Sequence, residues 1–158
     1  MATTYTFPTF NDPAMARPQA GVHQRIVKFT PTTGVINDIF KVAKLPKGAK
    51  LSPGWYLEVP DLDTNATPTL TISVKVTDGT TTKTVIAAAT TGQAGGVAYD
   101  STATVGQQTG WANFKTTNDD FYVYVTWAAA AATFASGACL LGFSYLLDAE
   151  AGGSDTNL

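Results

Sequence analysis

The chain has 158 residues, of which 14% are charged, and its net charge is −2. That length suits one domain with an adequate core, and the net charge excludes whole-molecule electrostatic attraction to nucleic acid. The single cysteine, Cys139, excludes an intrachain disulfide, and no apolar run reaches the ~18–20 residues of a membrane helix, so no membrane partner is expected.

The charge is unevenly spread. Residues 1–50 hold seven Lys/Arg against Asp12 and Asp38, and the remainder holds three against ten Asp/Glu. The start, MATTYTFPTF, lacks the basic and apolar regions of a secretory signal, so synthesis in a cytoplasm is expected.

Residues 1–21 are expected to form an extended N-terminal arm. Pro8, Pro13 and Pro18 recur every five residues and exclude a helix or a central strand. Tyr5, Phe7, Phe10 and Met15 are too apolar for a solvated tail. Two readings stay open: a tail packed on its own domain, or an arm that orders on a neighbouring subunit. In the second, Tyr5, Phe7, Phe10 and Arg17 are candidate partner-binding residues.

A β domain is expected over residues 22–149. Val22–Phe29 predicts a first strand, with the single histidine, His23, at a surface or edge. Val35–Leu45 predicts a second strand, with Phe40 and Val42 on one face, and Pro46-Lys47-Gly48 turns the chain. Trp55–Val59 predicts a third strand, closed by Pro60. Thr69–Val76 alternates most cleanly: Leu70, Ile72, Val74 and Val76 face inward, Thr69, Thr71, Ser73 and Lys75 outward. Asp78-Gly79 marks a hairpin turn into Lys83–Ala89.

Thr91–Gly110 has no strand pattern and could hold a short helix near Gly95–Tyr99. Trp111–Thr116 predicts a short strand. In Asp120–Trp127, Phe121, Val123, Val125 and Trp127 share a core face. After a small-residue bridge, the last strand is apolar on both faces, with Leu140 and Leu146 on one and Leu141, Phe143, Tyr145 and Leu147 on the other. Such a strand is covered on both sides or meets a partner chain, which makes Phe143 and Tyr145 candidate partner contacts. Residues 150–158 form a polar, Gly-rich tail. About eight strands without a long helix predict an all-β antiparallel sandwich of jelly-roll type.

The residues offer little chemistry. Nucleophilic catalysis needs a base beside the nucleophile, and one histidine with one apolar-strand cysteine supply little. No nucleophile elbow, phosphate loop or His-Glu-x-x-His motif occurs. Asp61-Leu62-Asp63-Thr64-Asn65 begins like a calcium loop, but Ala66 and Ile72 stand where glycine and glutamate are needed. No enzyme, metal or cofactor is expected. Lys41, Lys44, Lys47 and Lys50 recur every three residues, and Lys44 and Lys47 are candidates for an acidic partner. Trp55 and Trp111 could instead stack on a sugar.

Leu45-Pro46-Lys47-Gly48-Ala49-Lys50, then Tyr56-Leu57-Glu58-Val59 and Asp61-Leu62-Asp63, form a distinctive run. With Ala94-Gly95-Gly96-Val97 and the apolar last strand, it resembles small structural proteins of tailed bacteriophages over about Lys41–Leu147. Such proteins are similar to jelly-roll head decoration, or cement, proteins. The resemblance implies a structural virion protein on the capsid exterior. It also implies binding to the major capsid protein, commonly as a homotrimer, without catalysis. A carbohydrate-binding module of a phage fibre or lectin is the alternative.

Overall fold

The computed structural model describes residues 1–7, 21–45, 49–77, 80–100 and 122–147. Among the described residues, nine strands follow one another: β1 (Thr4–Thr6), β2 (Gly21–Phe29), β3 (Ile39–Lys44), β4 (Ala49–Val59), β5 (Thr71–Thr77), β6 (Thr82–Ala89), β7 (Gly96–Tyr99), β8 (Tyr122–Ala129) and β9 (Cys139–Leu147). A 3₁₀ turn, Thr91–Gln93, sits before β7. The short helix expected near Gly95–Tyr99 is therefore a strand. Gly95 and Gly96 have positive φ, at 76° and 148°, and no helix passes through such backbone.

One sheet has the order β2-β9-β4-β7, and the other β1-β3-β8-β5-β6. From β2 to β9 the chain winds as a jelly roll. The first of these eight strands pairs with the last and the second with the next to last, both antiparallel. β1 lies outside that winding and pairs with β3 in parallel.

Alternation decides which side chains meet between the sheets. On β5, Ile72, Val74 and Val76 are buried, with Leu70 just before them. Val123, Val125 and Trp127 of β8 face the same space. Their burial contributes at most roughly 1.5–3 kcal/mol each. From the other sheet come Val27, Phe29, Leu51, Trp55, Leu57, Leu141, Phe143 and Tyr145. The last strand's two apolar faces are thus told apart: Leu141, Phe143 and Tyr145 enter the core, and Leu140 and Leu146 lie half-buried on the outside.

The strand expected over Trp55–Val59 begins earlier, at Ala49. Pro53 and Gly54 look like breakers, but the chain passes them in a bulge: Ser52 pairs with Ser144, and Tyr56 then pairs with Gly142. Gly54 takes φ 103° there. The bulge is stapled from both sides. The Trp55 indole N–H donates to the carbonyls of Ser52 (2.8 Å) and Ser144 (3.0 Å). The Ser144 hydroxyl lies 3.0 Å from the Ser52 carbonyl and 2.6 Å from that of Pro53. The strand expected over Val35–Leu45 starts later, at Ile39, because Val35–Asp38 form a turn in which Asn37 has φ 66°.

The expected turns at Pro46-Lys47-Gly48 and Asp78-Gly79, the strand at Trp111–Thr116, Phe121 and the tail 150–158 lie outside the described residues.

Candidate functional site

Four features could carry function: a buried carboxylate, a buried thiol, the outer faces of the two sheets, and the N-terminal strand.

Asp63, the third residue of the calcium-like run, is only 1% exposed. Its Oδ2 accepts the backbone N–H groups of Thr69 (2.8 Å), Leu70 (3.0 Å) and Ala132 (3.0 Å), and its Oδ1 accepts that of Thr133 (2.8 Å). Burial by itself raises its pKa. The four N–H groups outweigh that and hold the carboxyl well below the usual carboxylate range. Both oxygens thus tie the β4–β5 loop to the β8–β9 loop. Among the described residues no group of three or more His, Cys, Asp or Glu could hold a metal ion. Cys139 is fully buried, and burial pushes its thiol up to about 12. It serves as a small apolar side chain.

The outer face of the β2-β9-β4-β7 sheet carries a row across all four strands: Ile26, Gly142, Tyr56 and Tyr99. Ile26 and Tyr99 are well exposed, at 63% and 66%. A Cβ at Gly142 would fall 2.0 Å from Cε1 of Tyr56, so the tyrosine ring lies across the glycine. Beside it runs a groove of about 440 Å³ bordered by Gln24, Ile26, Gly54 and Tyr56.

The other sheet's outer face is built from threonine, lysine and tyrosine. One row runs Thr6, Lys41, Tyr124, Lys75, Thr84 across five strands. The Lys41 ammonium sits 4.2 Å from the Tyr122 ring centroid. No Asp or Glu occurs in β3, β5, β6 or β8, so this face is basic although the chain is acidic overall.

Of the sequence-chosen residues, Tyr5 and Phe7 pack against this chain's own core. Tyr5 stacks on Phe40 at 5.2 Å and 12°, and Phe7 meets Phe29 edge-on at 5.7 Å. Residues 1–21 therefore contain a strand that the sequence reading did not expect, and its position at a sheet edge agrees with the neighbouring prolines. Lys44 ends β3, half-buried, opposite Tyr122. Phe143 and Tyr145 point into the sandwich, at 2% and 4% exposure. Phe143 lies against Trp55, and Tyr145 stacks with His23. Burial raises the Tyr145 hydroxyl's pKa, and Arg25 opposes the rise. Trp55, half of the imagined sugar platform, is fully buried. Phe10, Arg17, Lys47 and Trp111 lie outside the described residues.

Sequence reading missed Ile26, Tyr56 and Tyr99. Tyr56 was legible, being out of phase with Trp55 and Leu57. Tyr99 was hidden in a segment without a strand pattern.

No protein-family model matches the chain, and no curated protein matches it. Among solved structures, it is similar to a chain in the capsid asymmetric unit of cyanophage Pam1. The identity is 29% and the TM-score 0.62, over 90% of this chain and 100% of that one. It is also similar to a chain in the capsid of Ralstonia phage GP4, at 26% identity and TM-score 0.61, over 83% and 88%. In fold and in sequence, over most of its length, this jelly roll resembles chains of two phage capsids.

Proposed function

We propose that the chain is a structural protein of a phage virion, and that it decorates the outer surface of the capsid and stabilises it without catalysis. The observation that carries the reading is the full coverage of the Pam1 capsid chain at 29% identity. The match spans 90% of this chain and 100% of that one, which supports a counterpart of that capsid chain rather than of a module of it. A rigid sandwich with committed polar groups suits a clamp between shell subunits. The basic outer face, with Lys41 and Lys75 in one row, offers attraction to an acidic shell surface that salt would weaken. Tyr5, Phe7, Phe10, Arg17, Lys44 and Lys47 remain candidate contacts to the major capsid protein. On the last strand the outward Leu140 and Leu146 are better placed for self-association as a homotrimer than the inward Phe143 and Tyr145.

The test is binding of purified protein to capsids that lack it. The expected result is saturable decoration of the capsid exterior and a raised melting temperature of the shell. Capsids that neither bind it nor melt later would reject the reading. The carbohydrate alternative keeps one supporting observation, the tyrosine-floored groove beside Gly142. A glycan that binds and is lost with Tyr56→Ala would favour it instead.

A further inference from the structure

In the row Ile26, Gly142, Tyr56, Tyr99 the glycine leaves a gap, and the Tyr56 ring lies in it. The ring carbons nearest to a Cβ built on Gly142 are Cε1, Cζ and Cδ1, all within 2.6 Å. An atom facing the edge of a ring meets one carbon well ahead of its neighbours. Three adjacent carbons so nearly level mark an approach onto the ring's face. Tyr56 therefore lies flat on β9, with one face on Gly142 and the other turned away from the sheet. The residue is half-buried, as one covered face requires. Its partner on the edge strand, Tyr99, is 66% exposed.

The groove beside this ring is made by the β4 bulge. From the Ser52–Ser144 pair to the Tyr56–Gly142 pair, β4 advances four residues and β9 two, so Pro53 and Gly54 are pushed out as a wall. That wall is fixed in place. The Gly54 amide donates to Oδ2 of Asp100 at 2.8 Å, and the Asp100 amide donates to the carbonyl of the fully buried Trp55 at 3.0 Å. Gln24 and Ile26 of β2, both exposed, stand opposite. The enclosed space of about 440 Å³ is of small-molecule size.

The lining selects a class of ligand. The outward face of the ring is electron-rich and attracts C–H groups that carry partial positive charge. The Gln24 amide supplies both a donor and an acceptor, and so does the Tyr56 hydroxyl. The nearby charges balance. Lys28 and Glu58, both exposed, flank Leu140 in the adjacent row. Arg25 and Asp100, at the groove's two walls, are likewise of opposite sign. A matching ligand has a flat C–H face, hydroxyls around its edge and no net charge, and a pyranose ring has all three. An aliphatic chain would cover the Gln24 amide without pairing it, and a nucleotide would bring net charge to a balanced surface. We propose that the groove between Tyr56 and Gln24 binds a neutral saccharide, with one pyranose unit stacked on the outward face of Tyr56. The groove lies on the sheet opposite the basic face, so this inference goes beyond the virion reading and does not rest on it.

The test is saturation-transfer NMR on the purified protein with cellotetraose, maltotetraose, chitotetraose and galactotetraose, each at millimolar concentration. The expected result is transfer to the ring C–H protons of at least one of them. Tyr56→Ala should weaken that binding at least tenfold, and Gln24→Ala at least threefold. Gln24 is exposed, so its replacement leaves the fold intact, and a thermal melt confirms that Tyr56→Ala is folded. No transfer to any of the four overturns the proposal. Transfer that both variants leave unchanged also overturns it, because the sugar then binds elsewhere. Decaproline is run in parallel, and a signal from it alone would assign the groove to a peptide and reject the saccharide. No capsid enters this experiment, so its failure leaves the virion reading standing, and failed decoration leaves the saccharide site standing.

Discussion

Asp63 shows how one side chain organises two loops. Its oxygens receive N–H groups from residues 69 and 70 and from residues 132 and 133. A carboxylate suits this task because it only accepts. Asp63→Asn keeps the shape but turns an NH₂ toward backbone donors, so the substituted protein should melt several degrees lower at neutral pH, as a thermal melt would record. The sign of the pH effect follows from the lowered pKa. The unfolded carboxyl titrates near its ordinary 3.8 and the folded one well below it. Asp63 thus stabilises fully above about 3.8, and its contribution is lost as the pH falls toward the folded value. The gap in melting temperature between wild type and Asp63→Asn should narrow on acidification below pH 3.8. A gap independent of pH would mean that the charge plays no part. Cys139, with its thiol near 12 and no exposure, should resist iodoacetamide at pH 8 in the folded protein and react on unfolding.

Among the elements, β1 and β8 make opposite demands. β8 lies between β3 and β5 and supplies Val123, Val125 and Trp127 to the core. Val123→Asp would bury an unpaired charge there, and loss of soluble, cooperatively melting protein is expected. A native-like melt would mean that the core faces the other side of this strand. β1 and the Phe7 that follows it contribute three ladder pairs and two half-buried aromatic rings. Full burial of such side chains stabilises by roughly 1.5–3 kcal/mol each, so half-burial of both supplies about 1.5–3 kcal/mol. Deletion of residues 1–7 should leave the jelly roll folded but lower its melting temperature by roughly 5–10 °C. No change would place β1 off the β3 edge. Complete unfolding would make β1 indispensable to the core.

For the molecule as a whole, the two outer faces differ more than the two inner ones. One presents Ile26, Tyr56 and Tyr99, and the other lysines and threonines with Tyr122 and Tyr124. A decorating protein needs such a difference, because one side meets the shell and another meets water or further copies. If the basic face docks on the shell, Lys41→Glu with Lys75→Glu should reduce capsid occupancy at least tenfold, equivalent to about 1.4 kcal/mol. The melting temperature of the free protein should change little. Undiminished decoration by this variant would assign the contact to another face.

Much of the fold was legible because alternation is local. Leu70 to Val76 and Val123 to Trp127 announce strands, and their core faces, from spacing alone. The scarcity of catalytic residue types is likewise readable without coordinates. Three things needed the tertiary structure. Pro53 and Gly54 forbid a regular strand, and only Ser144 and Trp55, distant in sequence or packed beneath, convert the interruption into a bulge. Gly96–Tyr99 has no periodicity long enough to read, and it becomes a strand because β4 offers it an edge. Thr4–Thr6 is too short to stand alone, and it is ordered by Asp38, Phe40 and Phe29, whose side chains meet only after the two sheets close. Local pattern sets which face of a strand is apolar, but what lies opposite that face is a long-range contact, and no window of sequence contains it.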